Sequence, residues 1–333
     1  MYNHAVVARP RTTPAGKSSF EVDVVSGLSS KAKSLPSKYF YDATGSALFA
    51  RITELTEYYV SRSEIGILSS NALAIGSLCP SNCALIELGA GSSRKSRILL
   101  GSTTSIGAYV PVDISGDFLQ EDLIRLRKDF PHLAVHPLVC DFTEHFDLPE
   151  DIGSSPRVGF FPGSTIGNFE PQEAGRLLRH VGKTFGEGAV LVVGVDLVKD
   201  SLVLSRAYDD GQAVTARFNL NLLKRINREL DANFNLEAFK HRAFYNERES
   251  RVEMHLVSRC SQEVRVRGRV FHFGAGETIH TENSYKYTVE SFQRLAAVGG
   301  WSPLASWSDG LFSVHALANR RRKSSSGNSV VVD

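Results

Sequence analysis

Residues 84–97 read ALIELGAGSSRKSR. Ala84, Leu85, Ile86 and Leu88 make a short apolar run, broken only by Glu87, that stops at Gly89-Ala90-Gly91. The pattern describes a buried parallel strand running into a glycine turn. Beyond the turn, Ser92 and Ser93 are good helix N-caps, and 95–100, with the run Ile98-Leu99-Leu100, opens a helix. Strand, turn and helix form the first half of a nucleotide-binding crossover, where a ligand lies across the turn at the strand's carboxyl end.

Which nucleotide follows from the turn. A dinucleotide fingerprint wants a third glycine at position 94, beneath a pyrophosphate, and Arg94 stands there. S-adenosylmethionine carries no phosphate, so it needs only the close backbone approach that Gly89 and Gly91 provide, plus acids for its ribose. Asp113 ends the next apolar run, 108–113, where a ribose-binding acid belongs. A third strand over 133–139 ends in Cys140-Asp141-Phe142; a carboxylate can accept from an adenine amine and the neighbouring ring can stack on the base. The fourth strand, 158–161, ends in PGSTIGN (162–168), with Pro171 in the first turn of a helix that runs to 185. The fifth, 190–195, ends at Asp196. Strands alternating with helices in this way make an α/β fold, a doubly wound parallel sheet.

The rest of the chain reads as additions to that sheet. Residues 1–19 are polar and broken by Pro10, Pro14 and Gly16, the composition of a disordered N-terminus. A short helix is expected over 20–28, an aromatic cluster at Tyr39-Phe40-Tyr41, and a helix over 45–55; Ser61-Arg62-Ser63-Glu64 resembles a capping box opening a helix over 65–78. After Asp196 come helical periods over 202–208 and 218–230, then strand-like runs over 251–259, 264–273 and 278–287. A helix over 289–297 and strands near 304–307 and 311–317 complete the sheet as an antiparallel edge. The division expected is therefore 20–60 as the N-terminal part of a substrate cap, 61–196 as the ligand-binding sheet domain, 197–287 as the rest of the cap, 288–318 as the end of the sheet domain, and 319–333 as a disordered tail.

Composition excludes several classes. The 333 residues are 42% hydrophobic, enough for one large core or two modest ones, and the net charge of +2 gives no reason to expect nucleic acid. The basic run Arg320 to Lys323, followed by serines, reads as a solvated tail. Cys79 and Cys83, flanking Pro80, could suggest a metal pair, but no second Cys or His pair has matching spacing, and His132, His136 and His145 read as structural, so no metal is expected and the thiols, with Cys140 and Cys260, read as reduced. No apolar run approaches membrane-spanning length and the N-terminus lacks the apolar stretch of a signal peptide, so a cytoplasmic protein with no membrane partner is expected.

Ten segments, in order and spacing, carry a family resemblance: SLPSKYFYDATGSALFARITELTEYY (34–59), IELGAGSSRKSR (86–97), PVDIS (111–115), VCDF (139–142), GSTIGNF (163–169), VDLVKD (195–200), RAYDD (206–210), VTARFN (214–219), RVEM (251–254) and TENSYKY (281–287). Together they resemble the histidine-specific Nα-methyltransferases of ergothioneine biosynthesis. The resemblance implies a Rossmann-like methyltransferase sheet with an inserted α+β substrate-binding cap, acting as a monomer on a small-molecule amino acid. It implies S-adenosylmethionine as cofactor, lined by Tyr41, Gly89, Lys95, Asp113, Asp141 and Phe142. Tyr58, Asn168 and Tyr208 would hold the amino acid's carboxylate, Glu282 and Ser284 its imidazole, and Met254 would wall that pocket; Tyr41 and Asn168 would orient the nucleophilic nitrogen. The implied reaction is methylation of the α-amine of L-histidine, up to the trimethylated betaine hercynine. The chain departs from the family's pattern at Val60, where proline is usual, at Ala90, where serine is common, and in its tail beyond Asn319.

The residues themselves support part of this. Glu282 and Ser284 lie two apart on an expected strand and so share a face. A carboxylate beside a hydroxyl reads an imidazole as a hydrogen-bonding ring and discriminates against indole or phenol. Two phenols and an amide bind a carboxylate with neutral donors, leaving no strong cation to repel a sulfonium. An Nα-methyltransferase for another aromatic amino acid such as tryptophan is the rival reading, and a nucleotide-dependent oxidoreductase is disfavoured by Arg94.

Overall fold

The computed structural model describes residues 6–7 and 18–319. Its main sheet runs, in spatial order, Val6–Val7, Leu138–Val139, Ile106–Asp113, Cys83–Leu88, Arg157–Phe161, Val190–Asp196, Phe312–Asn319, Trp301–Ser308. The first six are parallel and the last two antiparallel, as expected of the edge. All six residues of Cys83–Leu88 are buried, because helices cover both faces of a parallel sheet. Ala84, Ile86 and Leu88 pack against Leu177, Leu178 and Val181 of the Pro171–Phe185 helix on one side. Leu85 faces the other side with Leu68 and Leu99.

The insertion forms a second antiparallel sheet, Thr278–Tyr285, Arg251–Ser258 and Phe239–Asn246 in spatial order, with a separate hairpin of Gln262–Val266 and Arg269–Phe273. Backbone hydrogen bonds tie it to the main sheet: Tyr287 N–H donates to the Asp196 carbonyl at 3.1 Å and Val198 N–H to the Tyr287 carbonyl at 3.0 Å. The N-terminal segment joins from the other side, with Leu35 N–H donating to the His280 carbonyl at 2.9 Å. The strand that bears Glu282 is thereby clamped at both ends.

Several local expectations are corrected. Most of 1–19 and 319–333 lies outside the described residues, but Val6–Val7 pair with Leu138–Val139, Ser19 opens the Ser19–Ser29 helix, and Asn319 ends a strand. A two-residue ladder is too short to leave a period in the sequence. The expected strand over 133–139 is two dipeptides, Ala134–Val135 and Leu138–Val139, separated by His136 and by Pro137, which cannot donate to a ladder. The run 264–273 is a hairpin, turning at Arg267 and Gly268, both at positive φ. The helix after the glycine turn starts at Ser96 with no side-chain cap, so neither Ser92 nor Ser93 caps it. The supposed capping box is the interior of the Tyr59–Ser70 helix, whose Glu64 is fully buried.

Candidate active site

A cavity of about 1130 Å³ opens where the parallel strands end, between them and the second sheet. It brings together Gly89, Lys95, Asp113, Asp141 and Phe142 from the strand ends, Tyr41 and Tyr58 from the N-terminal segment, Asn168 from the loop after the fourth strand, and Tyr208, Met254 and Glu282 from the insertion. Ser284 is the exception among the residues singled out by sequence. It is buried behind the wall, its hydroxyl 2.7 Å from the Tyr208 phenol oxygen. Sharing a face with Glu282 therefore did not give it the same exposure to the cavity, because Tyr208 lies over it.

At the glycine corner, Gly89 has φ of 76°, a conformation in which any side chain would be strained. Asp113 takes the Ser115 N–H on its carboxylate at 2.8 Å, and burial raises its pKa above the usual range. Asp141 is held by the Thr143 N–H at 3.0 Å and by Lys38 Nζ at 3.3 Å, and the Phe142 ring meets Phe161 edge-on at 5.6 Å. Glu87, the one break in the apolar run, forms part of the cavity and accepts from the Ser96 and Tyr109 hydroxyls; burial pushes its carboxyl up to about 7 against those two donors.

The ammonium of Lys95 is committed to Glu64, whose carboxylate lies 2.5 Å away and also accepts the Gly163 N–H at 3.0 and 2.9 Å. That pair fixes the first glycine loop against the second. Glu64 fits only because Gly194, on the fifth strand, lacks a side chain: a Cβ there would fall 2.0 Å from Glu64 Oε1. Glu64 was not a candidate from sequence, although a glycine inside an apolar strand is a signal of close approach.

On the opposite wall, Glu282 and Met254 are cross-strand partners, so the carboxyl and the thioether share a face. Burial pushes the Glu282 carboxyl up to about 8, with the Lys286 ammonium acting in the opposite direction. Tyr58 and Tyr208 meet edge-on at 6.1 Å, and burial first, then the surrounding acids and phenols, raise both hydroxyls well above their ordinary value. Tyr41 is raised likewise and packs edge-on against Phe49 and Phe218. These phenols are therefore neutral hydrogen-bonding groups at physiological pH. Beside the cavity, Glu253, His255 and His280 bring ligand atoms within 4.8 Å, but Glu253 is already held by Arg251 Nε at 2.8 Å and Asn246 at 2.9 Å.

Among the cavity's side chains, the acids Asp23, Asp113, Asp141, Glu144 and Glu173 slightly outnumber the bases Lys38, Arg94, Lys95 and Arg176, while burial holds Glu87 and Glu282 largely protonated. Such a balance suits a cationic ligand and opposes a pyrophosphate. No helix among the described residues is long and apolar enough to cross a membrane.

The sequence family described as histidine-specific methyltransferase, SAM-dependent, matches residues 20–319. The chain is 39% identical over 300 residues to a histidine N-alpha-methyltransferase of Mycobacterium tuberculosis, covering 89% of this chain and 92% of that one. It is also 39% identical to the protein of that name from Mycolicibacterium smegmatis, over 86% of this chain and 90% of the relative. Ergothioneine biosynthesis protein 1 of Neurospora crassa is 28% identical over 87% of this chain, which spans 33% of that longer protein.

Proposed function

The chain belongs to the histidine-specific, S-adenosylmethionine-dependent methyltransferases, and on that premise we propose that it methylates the α-amino nitrogen of L-histidine, up to three times. The observation that carries the reading is a single acid-rich cavity with a glycine corner at one end and the Glu282–Met254 wall at the other. The corner fits the methyl donor: Gly89 admits close backbone approach, Asp113 receives ribose hydroxyls, Asp141 and Phe142 hold the adenine, and Tyr41 and Lys95 flank the remainder. When bound, S-adenosylmethionine supplies an activated methyl group on a sulfonium, so the protein's part is chiefly alignment and exclusion of water.

The acceptor's carboxylate rests on Tyr58, Asn168 and Tyr208, all neutral donors. Its imidazole meets Glu282, with Met254 as the apolar wall. An ammonium cannot attack, and enclosure among buried phenols disfavours the charged amine, moving its proton balance toward the reactive form. Tyr41 and Asn168 orient the nitrogen toward the donor.

Transfer of labelled methyl to a panel of the twenty amino acids tests the reading. Histidine is expected to be the preferred acceptor, with a product three methyl substitutions heavier by mass spectrometry. Preference for tryptophan would overturn the substrate while leaving the reaction class.

A further inference from the structure

The loop after the fourth strand, which carries Asn168, is pinned to both sheets. At its start Ser164, at φ of 58°, accepts the Asp196 N–H on its hydroxyl at 3.0 Å, and Gly163 is held by Glu64; both contacts belong to the main-sheet side. Its far end rests on the strand Thr278–Tyr285 of the second sheet. Gly167 is buried so close to that strand that a Cβ there would fall 2.8 Å from the Tyr285 carbonyl oxygen and 3.3 Å from its amide nitrogen. Both of those atoms are backbone, so any side chain at Gly167 would drive the loop and the strand apart. Glu170, three residues on, reaches the same strand: one carboxylate oxygen accepts from Arg251 Nη1 at 2.8 Å and from Asn283 Nδ2 at 3.1 Å, and the other accepts from the Tyr285 hydroxyl. The Glu170 side chain is 47% exposed, so its ion pair adds little to stability, but three donors converging on one carboxylate fix its place. Asn168 lies between these two contacts, and Asn283 and Tyr285, which make them, alternate along the strand with Glu282 and Ser284.

We propose that Gly167 and Glu170 are positioning residues: together they clamp the Asn168 loop to the strand bearing Glu282 and so set the separation between the amide that orients the acceptor's nitrogen and the carboxyl that meets its ring. The inference rests on the reading that Asn168 orients that nitrogen. Gly167 and Glu170 do not line the cavity, whereas Asn168 and Glu282 do. In-line methyl transfer tolerates little error in the line of approach, and a displacement of about 1 Å costs about a hundredfold in rate. Since Ser164 and Gly163 are anchored separately, a shift at Gly167 leaves the donor's end of the cavity in place.

The test combines steady-state kinetics, with each substrate varied in turn, and calorimetry with S-adenosylhomocysteine. Gly167→Ala is expected to lower kcat at least about tenfold while S-adenosylhomocysteine binds within about twofold of wild type. In an Asn168→Ala background the same change adds nothing, because the amide through which it acts is gone. Glu170→Ala, at a half-exposed site, secures the test if Gly167→Ala folds poorly: kcat/KM for histidine is expected to fall about threefold to fivefold, the order of one exposed ion pair. Glu170→Gln, which keeps an acceptor for Arg251 and the phenol, recovers most of that loss. Wild-type kinetics in Gly167→Ala or in Glu170→Ala, losses of S-adenosylhomocysteine affinity as large as the losses in turnover, or additive losses in the Asn168→Ala background would overturn the proposal. An Asn168→Ala protein that turns over as fast as wild type would instead remove the reading of Asn168, and the clamp's role with it.

Discussion

Glu282→Ala is expected to raise the KM for histidine about a hundredfold while leaving that for S-adenosylmethionine within about a factor of two, the size expected when a buried hydrogen-bonding site loses its partner. Glu282 lines the cavity from the second sheet and is paired across the strand with Met254, so its loss strips the proposed acceptor pocket of the only carboxyl on that strand. Steady-state kinetics with each substrate varied in turn reads the split. Equal rises in both constants would place Glu282 in the general architecture of the cavity and remove its role as the imidazole's partner.

The same carboxyl makes a prediction about pH. Its pKa is about 8 in the folded, ligand-free protein against an ordinary 4.5, so the folded state holds a proton that the unfolded chain releases between those values. The stability contributed by the protonated carboxyl is full below the lower value and is lost as pH rises through the upper one. Glu282→Gln, which cannot ionise, is expected to melt close to wild type near pH 5 and several degrees above it near pH 8.5. A melting difference that stays constant across that range would show that the carboxyl is not held protonated.

The second large effect is expected at Glu64. Removing it by Glu64→Ala leaves the partly exposed Lys95 ammonium and the Gly163 N–H without their shared acceptor, a loss of about 1–3 kcal/mol. Because Lys95 and Gly163 both line the cavity, at the end proposed for the methyl donor, the KM for S-adenosylmethionine is expected to rise at least about tenfold, with the histidine constant changing less. Gly194→Ala reaches the same outcome by another route, since its methyl would occupy the place of Glu64 Oε1. Urea unfolding and donor kinetics on both variants test the point; wild-type stability and donor KM in Gly194→Ala would show that the Glu64–Lys95–Gly163 contact does not organise the corner.

What the sequence disclosed follows from how local each signal was. The glycine corner and the acids at successive strand ends are properties of single segments, and Asp113, Asp141 and Phe142 stand where their strands end. The antiparallel edge was legible chiefly at Phe312–Asn319, which carries a buried apolar run, whereas its neighbour Trp301–Ser308 is mostly exposed. Glu64 was hidden because its contacts are with partners far away in sequence, Gly163 and Gly194. A capping-box pattern and a fully buried carboxylate look alike until the opposing strand is known. The Phe239–Asn246 strand escaped notice because most of its residues are only partly buried, leaving no clean alternation to read.

The central claim is that one cavity holds the methyl donor at the Gly89 corner and the acceptor's ring at Glu282. Its most direct test is a crystal structure of the protein with S-adenosylhomocysteine and histidine. The account predicts an imidazole nitrogen within hydrogen-bond distance of the Glu282 carboxyl, the carboxylate on Tyr58, Asn168 and Tyr208, and the α-amine facing the sulfur. Histidine bound with its ring at the glycine corner, or outside the cavity, would contradict it.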